Sequence, residues 1–169
     1  MPLSPDDLLT RLRERGIAYK LYEHEAVFTV EAMMAVCGDI AGAHTKNLFL
    51  RDGKKTYFLL TLQHDAQVDL KAFRAVLGAR GGLSFASPDA LREQLGVESG
   101  AVSPLAALNA APGSVRVFIQ DSLLEETRVN IHPLVSTRTL SLVPADLVEA
   151  LRAEGHEPTP LTLPESAAA

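Results

Sequence analysis

Two neighbouring segments of the chain carry the hydrophobic patterns of paired strands and predict a β-hairpin over residues 44–60. In "HTKNLFLRDGKKTYFLL", the alternation of apolar and polar residues places Lys46 on the same side of the first strand as Leu48 and Leu50. The second strand, "YFLLTL", is apolar on both faces, which predicts a central position in its sheet. A lysine at the end of an apolar row is unusual and marks a candidate site.

The predicted turn of this hairpin contains Asp52 and Gly53. This pair is typical of two-residue turns in which both central residues have positive φ. With such a turn, Lys46 would lie opposite Leu59. The sequence therefore predicts a specific register for the two strands.

Apolar residues recur at helical spacing in five segments, most of which begin at a capping residue and end at glycine. The first, "SPDDLLTRLRERG", has Ser4 as N-cap and Pro5 in its first turn. The other predicted helices are "TVEAMMAVCG", "DLKAFRAVLG", "SPDALREQLG" and "PADLVEALRAEG". The further predicted strands are "AYKLYEH", "GLSFAS", "SVRVFIQDSLL" and "TRTLSLV". This interleaving predicts an α/β (mixed α+β) fold with a mixed sheet and helices packed around it.

The composition fits one globular domain, which we place at residues 1–156. Of the 169 residues, 47% are hydrophobic and 22% are charged, which is enough for a single core. Residues 157–169 are rich in proline and small side chains, and we expect a flexible tail there. No segment approaches the roughly 18 consecutive apolar residues of a membrane span, and the N-terminus is acidic. We therefore expect a cytoplasmic protein.

The sequence lacks the motifs of several large enzyme classes. It has neither a G-x-G-x-x-G nor a P-loop, neither a G-x-S-x-G elbow nor an H-E-x-x-H pair, and Cys37 has no second cysteine to join. The histidines are scattered singly, which disfavours a zinc site. We expect a reaction without a metal, a cofactor or a covalent nucleophile. The formal net charge of −5 disfavours general nucleic-acid binding, so a nucleic-acid partner needs a local basic patch.

Three features remain as candidates for chemistry, and each has an ordinary structural alternative. Lys46 either neutralises a phosphate or an oxyanion at a pocket mouth, or extends its stem along the apolar face with its ammonium in solvent. The segment from Gly100 to Pro104 either presents backbone N–H groups to a carbonyl or is a turn before a helix. His132, held extended by Pro133, either bonds a hydroxyl or is a half-buried structural histidine.

These features occur in an order that resembles the YbaK/ProX family of aminoacyl-tRNA deacylases. The superfamily includes the editing domain inserted in bacterial prolyl-tRNA synthetases. The resemblance extends from "YEHEAVFTVEAM" through "HTKNLFLRDGKKTYFLL" and "LSFASPDALREQLGVESGAVSPLAALN" to "VNIHPLVSTRTLSL", almost the whole predicted domain. It implies a strongly curved sheet surrounded by helices and no metal. The freestanding ProX type, which hydrolyses alanine mischarged onto the proline tRNA, is the most similar subgroup.

The resemblance also implies roles for individual residues. Lys46 would meet the phosphate or ribose of the terminal adenosine, the Gly100 to Pro104 loop would orient the ester carbonyl and a water, and His132 would hold the sugar or the aminoacyl end. The apolar row of Leu48 and Leu50 that ends at Lys46 would then line an amino-acid pocket. The chain departs from many family members at Ala110 and Ser136, which affects fine specificity.

Two further sets of residues complete the expected site. The expected walls of the amino-acid pocket, which are otherwise plain core or loop, are Phe28, Met33, Met34, Ile40, Ala101, Val102 and Ser103. The expected tRNA contacts, which are otherwise solvated surface charges, are Lys54, Lys55, Lys71, Arg74 and Arg80.

Three hypotheses for function follow. The first is a trans-editing hydrolase for Ala-tRNA(Pro), with the Cys-tRNA(Pro) deacylase activity of the YbaK type as its variant. The second is a non-catalytic module that binds tRNA or aminoacyl ends, and specific DNA binding is a weaker third. The expected partners are the acceptor end of the proline tRNA and, transiently, prolyl-tRNA synthetase. We expect Lys46 to remain charged.

Overall fold

The computed structural model describes residues 2–164. The helices are α1 (Pro5–Glu14), α2 (Val30–Cys37), α3 (Leu70–Leu77), α4 (Pro88–Leu95), α5 (Asp121–Leu124) and α6 (Pro144–Ala153), with a 3₁₀ helix at Pro104–Asn109. The strands are β1 (Lys20–Glu23), β2 (Ala43–Arg51), β3 (Tyr57–Gln63), β4 (Ser84–Phe85), β5 (Val115–Gln120), β6 (Val129–Ile131), β7 (Arg138–Leu142) and β8 (Thr159–Leu161). No helix within residues 2–164 is both long and apolar enough to span a bilayer.

The helices begin where their capping residues predict. The Ser4 side chain accepts a hydrogen bond from the Asp7 backbone N–H and closes a capping box. Thr29 caps α2 and Ser87 caps α4 in the same way, through the backbone N–H three residues later. Local sequence therefore fixes these helix starts.

The strands form one eight-stranded mixed sheet, which confirms the predicted fold class. Their order is β1-β7-β6-β2-β3-β5-β8, and β4 pairs with β2 outside this path. Strand β3 lies between an antiparallel β2 and a parallel β5. Its residues from Phe58 to Leu62 are buried, so the predicted central position of the "YFLLTL" strand is confirmed.

Strand β2 changes partners along one of its edges, and this change positions the candidate site. Ala43 and His44 pair with β6, whereas Leu50 and Arg51 pair with β4. Between them, residues 45–48 pair with no other strand of the described chain on that edge, and at residue 49 the Ala86 backbone N–H donates to the Phe49 carbonyl. The half-buried residues 45–47 are therefore accessible to a ligand at the strand edge.

Two apolar clusters cover the opposite faces of the sheet, as the alternation along β2 requires. Phe49 joins a large cluster with side chains from α1, α4 and α6. Leu50 joins a smaller cluster with Phe58 and with Phe73 of α3, and Leu48 packs against that same cluster. The apolar row that ends at Lys46 therefore packs under α3, and the expectation that this row lines an amino-acid pocket is wrong.

The predicted two-residue hairpin turn is also wrong. The connection includes residues 52–56, Arg51 pairs with Tyr57, and Lys46 lies opposite Leu62 instead of Leu59. The Asp52 carboxylate accepts hydrogen bonds from backbone N–H groups within the loop, which stabilises a longer connection. The residue with positive φ is Lys55, at 61°.

The expectation of a flexible segment after residue 156 is wrong where the chain forms β8. This strand pairs in parallel with β5, and the side chain of Leu161 is buried in the cluster under α3. Leu161, with Leu163 packed against the same cluster, anchors a segment whose other strand residues are exposed. The part of the expected tail at residues 165–169 lies outside the described residues.

Candidate functional site

A pocket of about 190 Å³ opens beside the stretch of β2 that changes partners. Strand β2, the Gly100 loop, the residue after β6 and the start of α2 all contribute to it. Its lining residues are Val27, Phe28, Thr29, Val30, Met33, Thr45, Lys46, Asn47, Gly100, Val102 and His132. Lys46, Gly100 and His132, which are distant in sequence, thus border one cavity.

Lys46 lies at the edge of this pocket with a half-buried side chain. Its ammonium donates a hydrogen bond to the backbone carbonyl of Ala66. Burial lowers the pKa of Lys46, and the negative charge of Asp65 partly offsets this effect. The side-chain nitrogen of Lys46 is therefore held in place by the loop that follows β3.

Gly100 has a φ of +89°, a conformation that favours glycine. A Cβ atom at this position would lie 2.8 Å from Cδ1 of Phe28, so the aromatic ring packs directly over the glycine backbone. Val102 also lines the pocket. The loop therefore approaches the cavity with its backbone.

The other residues of this loop lie behind it. Ala101, Ser103 and Pro104 are buried and do not line the pocket. The Ser103 side chain accepts a hydrogen bond from the Leu105 backbone N–H and caps the 3₁₀ helix, with Pro104 in its first turn. These residues fix the shape of the loop.

His132 contacts the pocket with a half-buried imidazole. Its Nδ1 lies 2.9 Å from the carbonyl oxygen of Arg138, and because a carbonyl only accepts, Nδ1 carries the proton. Burial lowers the pKa of His132, the bond to Arg138 acts in the opposite direction, and the nearby His24 lowers it further. The neutral ring therefore keeps Nε2 as a hydrogen-bond acceptor.

Two pocket residues on β2, Thr45 and Asn47, escaped the sequence analysis. The Thr61 hydroxyl donates to Oδ1 of Asn47 at 2.7 Å, which leaves the amide N–H groups of Asn47 as donors. Thr45 donates to the backbone carbonyl of Asn130 at 2.7 Å. Lys46 and Asn47 point to opposite faces of β2. One pocket contacts both because it lies at the edge of the strand, where no other strand pairs with these residues.

The expected apolar walls divide into two groups. Met33 is buried and lines the pocket, and Phe28 lines its rim with 71% of its surface exposed. Met34 and Ile40 do not line it, although they pack against the same small cluster as Met33. Met33 also borders a second cavity of about 10 Å³ behind the pocket, room for one water molecule.

The five basic residues expected to contact tRNA lie on two neighbouring parts of the fold. Lys54, Lys55 and Arg80 are exposed around the loop that connects β2 and β3, where the Arg80 backbone N–H donates to Asp52 at 3.0 Å. Lys71 and Arg74 are exposed on α3. The backbone N–H of Ala79, next to Arg80, donates to the carbonyl of Arg74 at 3.0 Å, so the end of α3 adjoins the loop.

Comparisons with known proteins show which family the chain belongs to. A family model described as "Aminoacyl-tRNA editing domain" matches residues 24–150. The "Prolyl-tRNA synthetase associated domain-containing protein 1" of Mus musculus is 38% identical over 156 residues, covering 90% of this chain and 92% of that protein. The "Prolyl-tRNA editing protein ProX" of Acetoanaerobium sticklandii is 35% identical over 150 residues, covering 88% of this chain and 91% of that protein.

A solved structure shares the fold. It is described as a candidate trans-editing enzyme for prolyl-tRNA synthetase and is similar with a TM-score of 0.68, covering 95% of this chain and 98% of that one, at 24% identity. The resemblance inferred from the sequence motifs is therefore confirmed. The chain belongs to the aminoacyl-tRNA editing domain family.

Proposed function

We propose that this protein is an aminoacyl-tRNA deacylase that removes alanine from mischarged Ala-tRNA(Pro). The observation that carries the proposal is the convergence of Lys46, Gly100 and His132 on one pocket of about 190 Å³. A cation, a close backbone and a neutral imidazole suit an anionic ester substrate. The name of the similar prolyl-tRNA editing protein ProX supports the proline tRNA as the carrier of the mischarged alanine.

The proposed reaction is hydrolysis of the ester between the amino acid and the terminal ribose. Water attacks the ester carbonyl and forms a tetrahedral oxyanion. The bond between the carbonyl carbon and the ribose oxygen then breaks, the ribose oxygen takes up the proton that the attacking water has lost and becomes a hydroxyl, and the free amino acid leaves. An aminoacyl ester is already activated, so orientation and charge stabilisation are the main tasks of the protein.

Each pocket residue has a role in this proposal. The Lys46 ammonium neutralises the terminal phosphate or the developing oxyanion, and its bond to Ala66 preorganises it. The Gly100 loop orients the ester carbonyl and the attacking water, because glycine lets the substrate approach the backbone. His132 accepts a hydrogen bond from the ribose hydroxyl or the water through Nε2.

The proposed reaction uses no metal ion. Within residues 2–164, no three His, Cys, Asp or Glu side chains lie close enough together to hold one. We expect the deacylation rate to stay unchanged after dialysis against a chelator. A loss of activity that Mg²⁺ or Zn²⁺ restores would contradict this part of the proposal.

A Cys-tRNA(Pro) deacylase is the second candidate. The specific observation that favours it is the small cavity behind Met33, which offers space beyond the main pocket. Alanine and cysteine differ by one sulfur, and a hydrophobic pocket discriminates at this scale by only about 1–3 kcal/mol.

Prolyl-tRNA synthetase is a proposed transient partner that would release the mischarged tRNA.

The test is deacylation of the proline tRNA charged separately with alanine, cysteine, serine and proline. We expect the alanyl ester to be lost fastest and the prolyl ester to persist. A preference for the cysteinyl ester would favour the second candidate. Tight binding of the tRNA without turnover of any ester would show a binding module and contradict the proposal.

A further inference from the structure

One end of the β2–β3 hairpin carries a basic surface that the pocket does not use. The side chains of Lys54, Lys55, Arg80 and Arg116 are exposed there, around the buried carboxylate of Asp52. We call these four basic residues the Asp52 surface. They come from three separate segments, and Arg116 of β5 was not among the residues expected to contact tRNA.

Asp52 joins the segments through its carboxylate. One oxygen accepts the backbone N–H groups of Lys54 and Thr56, each at 2.9 Å, and the other accepts that of Arg80 at 3.0 Å. Burial alone would raise the pKa of Asp52, but these three bonds and the charge of Arg116 together lower it. The inner negative charge therefore organises the backbone, while the positive side chains face outward.

Lys55 carries an independent sign of function. Its φ of 61° is a conformation that glycine adopts without strain and lysine adopts at a cost. A loop selected for stability alone would favour glycine at this position.

The charges of the Asp52 surface are available to a partner. Among the described residues, no carboxylate forms an ion pair within 4.0 Å of any of the four basic side chains. Glu157, which borders the same groove as Arg116, is held by Arg152 at 2.6 and 2.8 Å. A local positive field on a chain of net charge −5 attracts a polyanion to this surface.

The position of the surface indicates which part of a tRNA it meets. Asp52 directly follows β2 and is six residues from Lys46, a distance of about 20 Å at roughly 3.3 Å per residue. That length corresponds to about six stacked nucleotides at roughly 3.4 Å each. We propose that the Asp52 surface binds the phosphates of the double-stranded stem while the unpaired 3′ end enters the pocket. This inference rests on the proposed function for the identity of the RNA.

The test separates the stem from the end. A triple variant, Lys54→Ala with Lys55→Ala and Arg80→Ala, is compared with the control Arg13→Ala with Lys20→Ala, two exposed basic residues of α1 and β1. We expect the triple variant to bind uncharged proline tRNA about tenfold more weakly, with a salt slope flatter by about 2–3. Binding of a short single-stranded oligonucleotide with the same 3′ end should be unchanged.

Three results would overturn the inference. They are unchanged tRNA affinity in the triple variant, equal losses for the tRNA and the short oligonucleotide, or an equal loss in the control with Arg13 and Lys20 replaced. The first would also be the outcome if an acidic protein surface occupied this site. Because binding of uncharged tRNA needs no turnover, it tests the surface even if the proposed hydrolysis fails.

A single substitution distinguishes a binding role from a structural one. Lys55→Gly removes both the charge and the backbone strain, so we expect the Tm to rise by roughly 2–4 °C while the affinity for tRNA falls. A merely structural lysine would not give these opposite effects. Full tRNA affinity in Lys55→Gly, with a raised Tm, would contradict the proposal.

Discussion

Met33 lines two cavities, and its truncation is the sharpest test of how the pocket selects an amino acid. The side chain is 8% exposed and borders both the main pocket of about 190 Å³ and a cavity of about 10 Å³. Met33→Ala removes three heavy atoms from the wall of both cavities and enlarges the pocket. The enlarged pocket should accept side chains larger than alanine.

The magnitude follows from the size of the deleted group. Each methyl-sized group in a hydrophobic pocket contributes about 1–3 kcal/mol of discrimination, a factor of about 10–200. We therefore expect the ratio of kcat/KM for alanyl over prolyl esters to fall at least about tenfold. The cost in the free energy of unfolding should be about 2 kcal/mol, the low end for Met→Ala, because one side of Met33 already borders open space.

The assay is kcat/KM for the proline tRNA charged with alanine, cysteine or proline, with circular dichroism to confirm folding. Met34→Ala is the matched control, because Met34 is the next residue of α2 but does not line the pocket. Unchanged selectivity in folded Met33→Ala would refute the assignment of this pocket to the amino acid. An equal change in Met34→Ala would refute it as well.

Three further perturbations test the site and its support. Gly100→Ala should reduce kcat/KM and cost about 1–3 kcal/mol, because its Cβ would meet Phe28 at 2.8 Å, whereas Gly113→Ala, with a φ of +84° and nothing within 4 Å, reports backbone strain alone. Because burial lowers the pKa of His132, the deacylation rate should stay flat on acidification to about pH 6.5 and fall only below it, and a loss that begins above this pH would contradict a neutral His132. Asp52→Asn should cost about 1–3 kcal/mol at pH 7, measured by urea denaturation. Since the pKa of Asp52 is lowered on folding, its stabilisation is present above the unfolded value of about 3.9 and disappears as the pH falls through the folded value, so a difference from wild type that persists at the lowest pH would contradict the assignment.

Local chemistry explains which elements could be predicted from the sequence. Ser4, Thr29 and Ser87 cap helices through bonds to residues three positions away, so the signal lies within the segment itself. The predicted two-residue hairpin turn was wrong because the Asp52 carboxylate accepts hydrogen bonds from backbone N–H groups and so stabilises a longer loop. One of these bonds comes from Arg80, which is 28 residues away. Likewise, β8 depends on a distant apolar cluster.

The candidate site likewise contains residues that the sequence alone could indicate and residues whose role depends on the folded sheet. Lys46 stood out because its charge interrupts a strand pattern, and the resemblance pointed to Gly100 and His132. Asn47 and Thr45 were missed because their access to a ligand depends on β2 changing partners between β6 and β4. That change is a property of the whole sheet and leaves no mark on the residues of the strand.

The most direct test of the proposed function is the single-turnover rate of Ala-tRNA(Pro) deacylation by the wild type, Lys46→Met and Lys20→Ala. Lys46→Met keeps the aliphatic stem and removes the charge, whereas Lys20 is an exposed lysine on β1. We predict that Lys46→Met lowers the rate about 100-fold or more and that Lys20→Ala leaves it unchanged. A folded Lys46→Met variant with the wild-type rate would show that only the stem of Lys46 matters and would contradict the account.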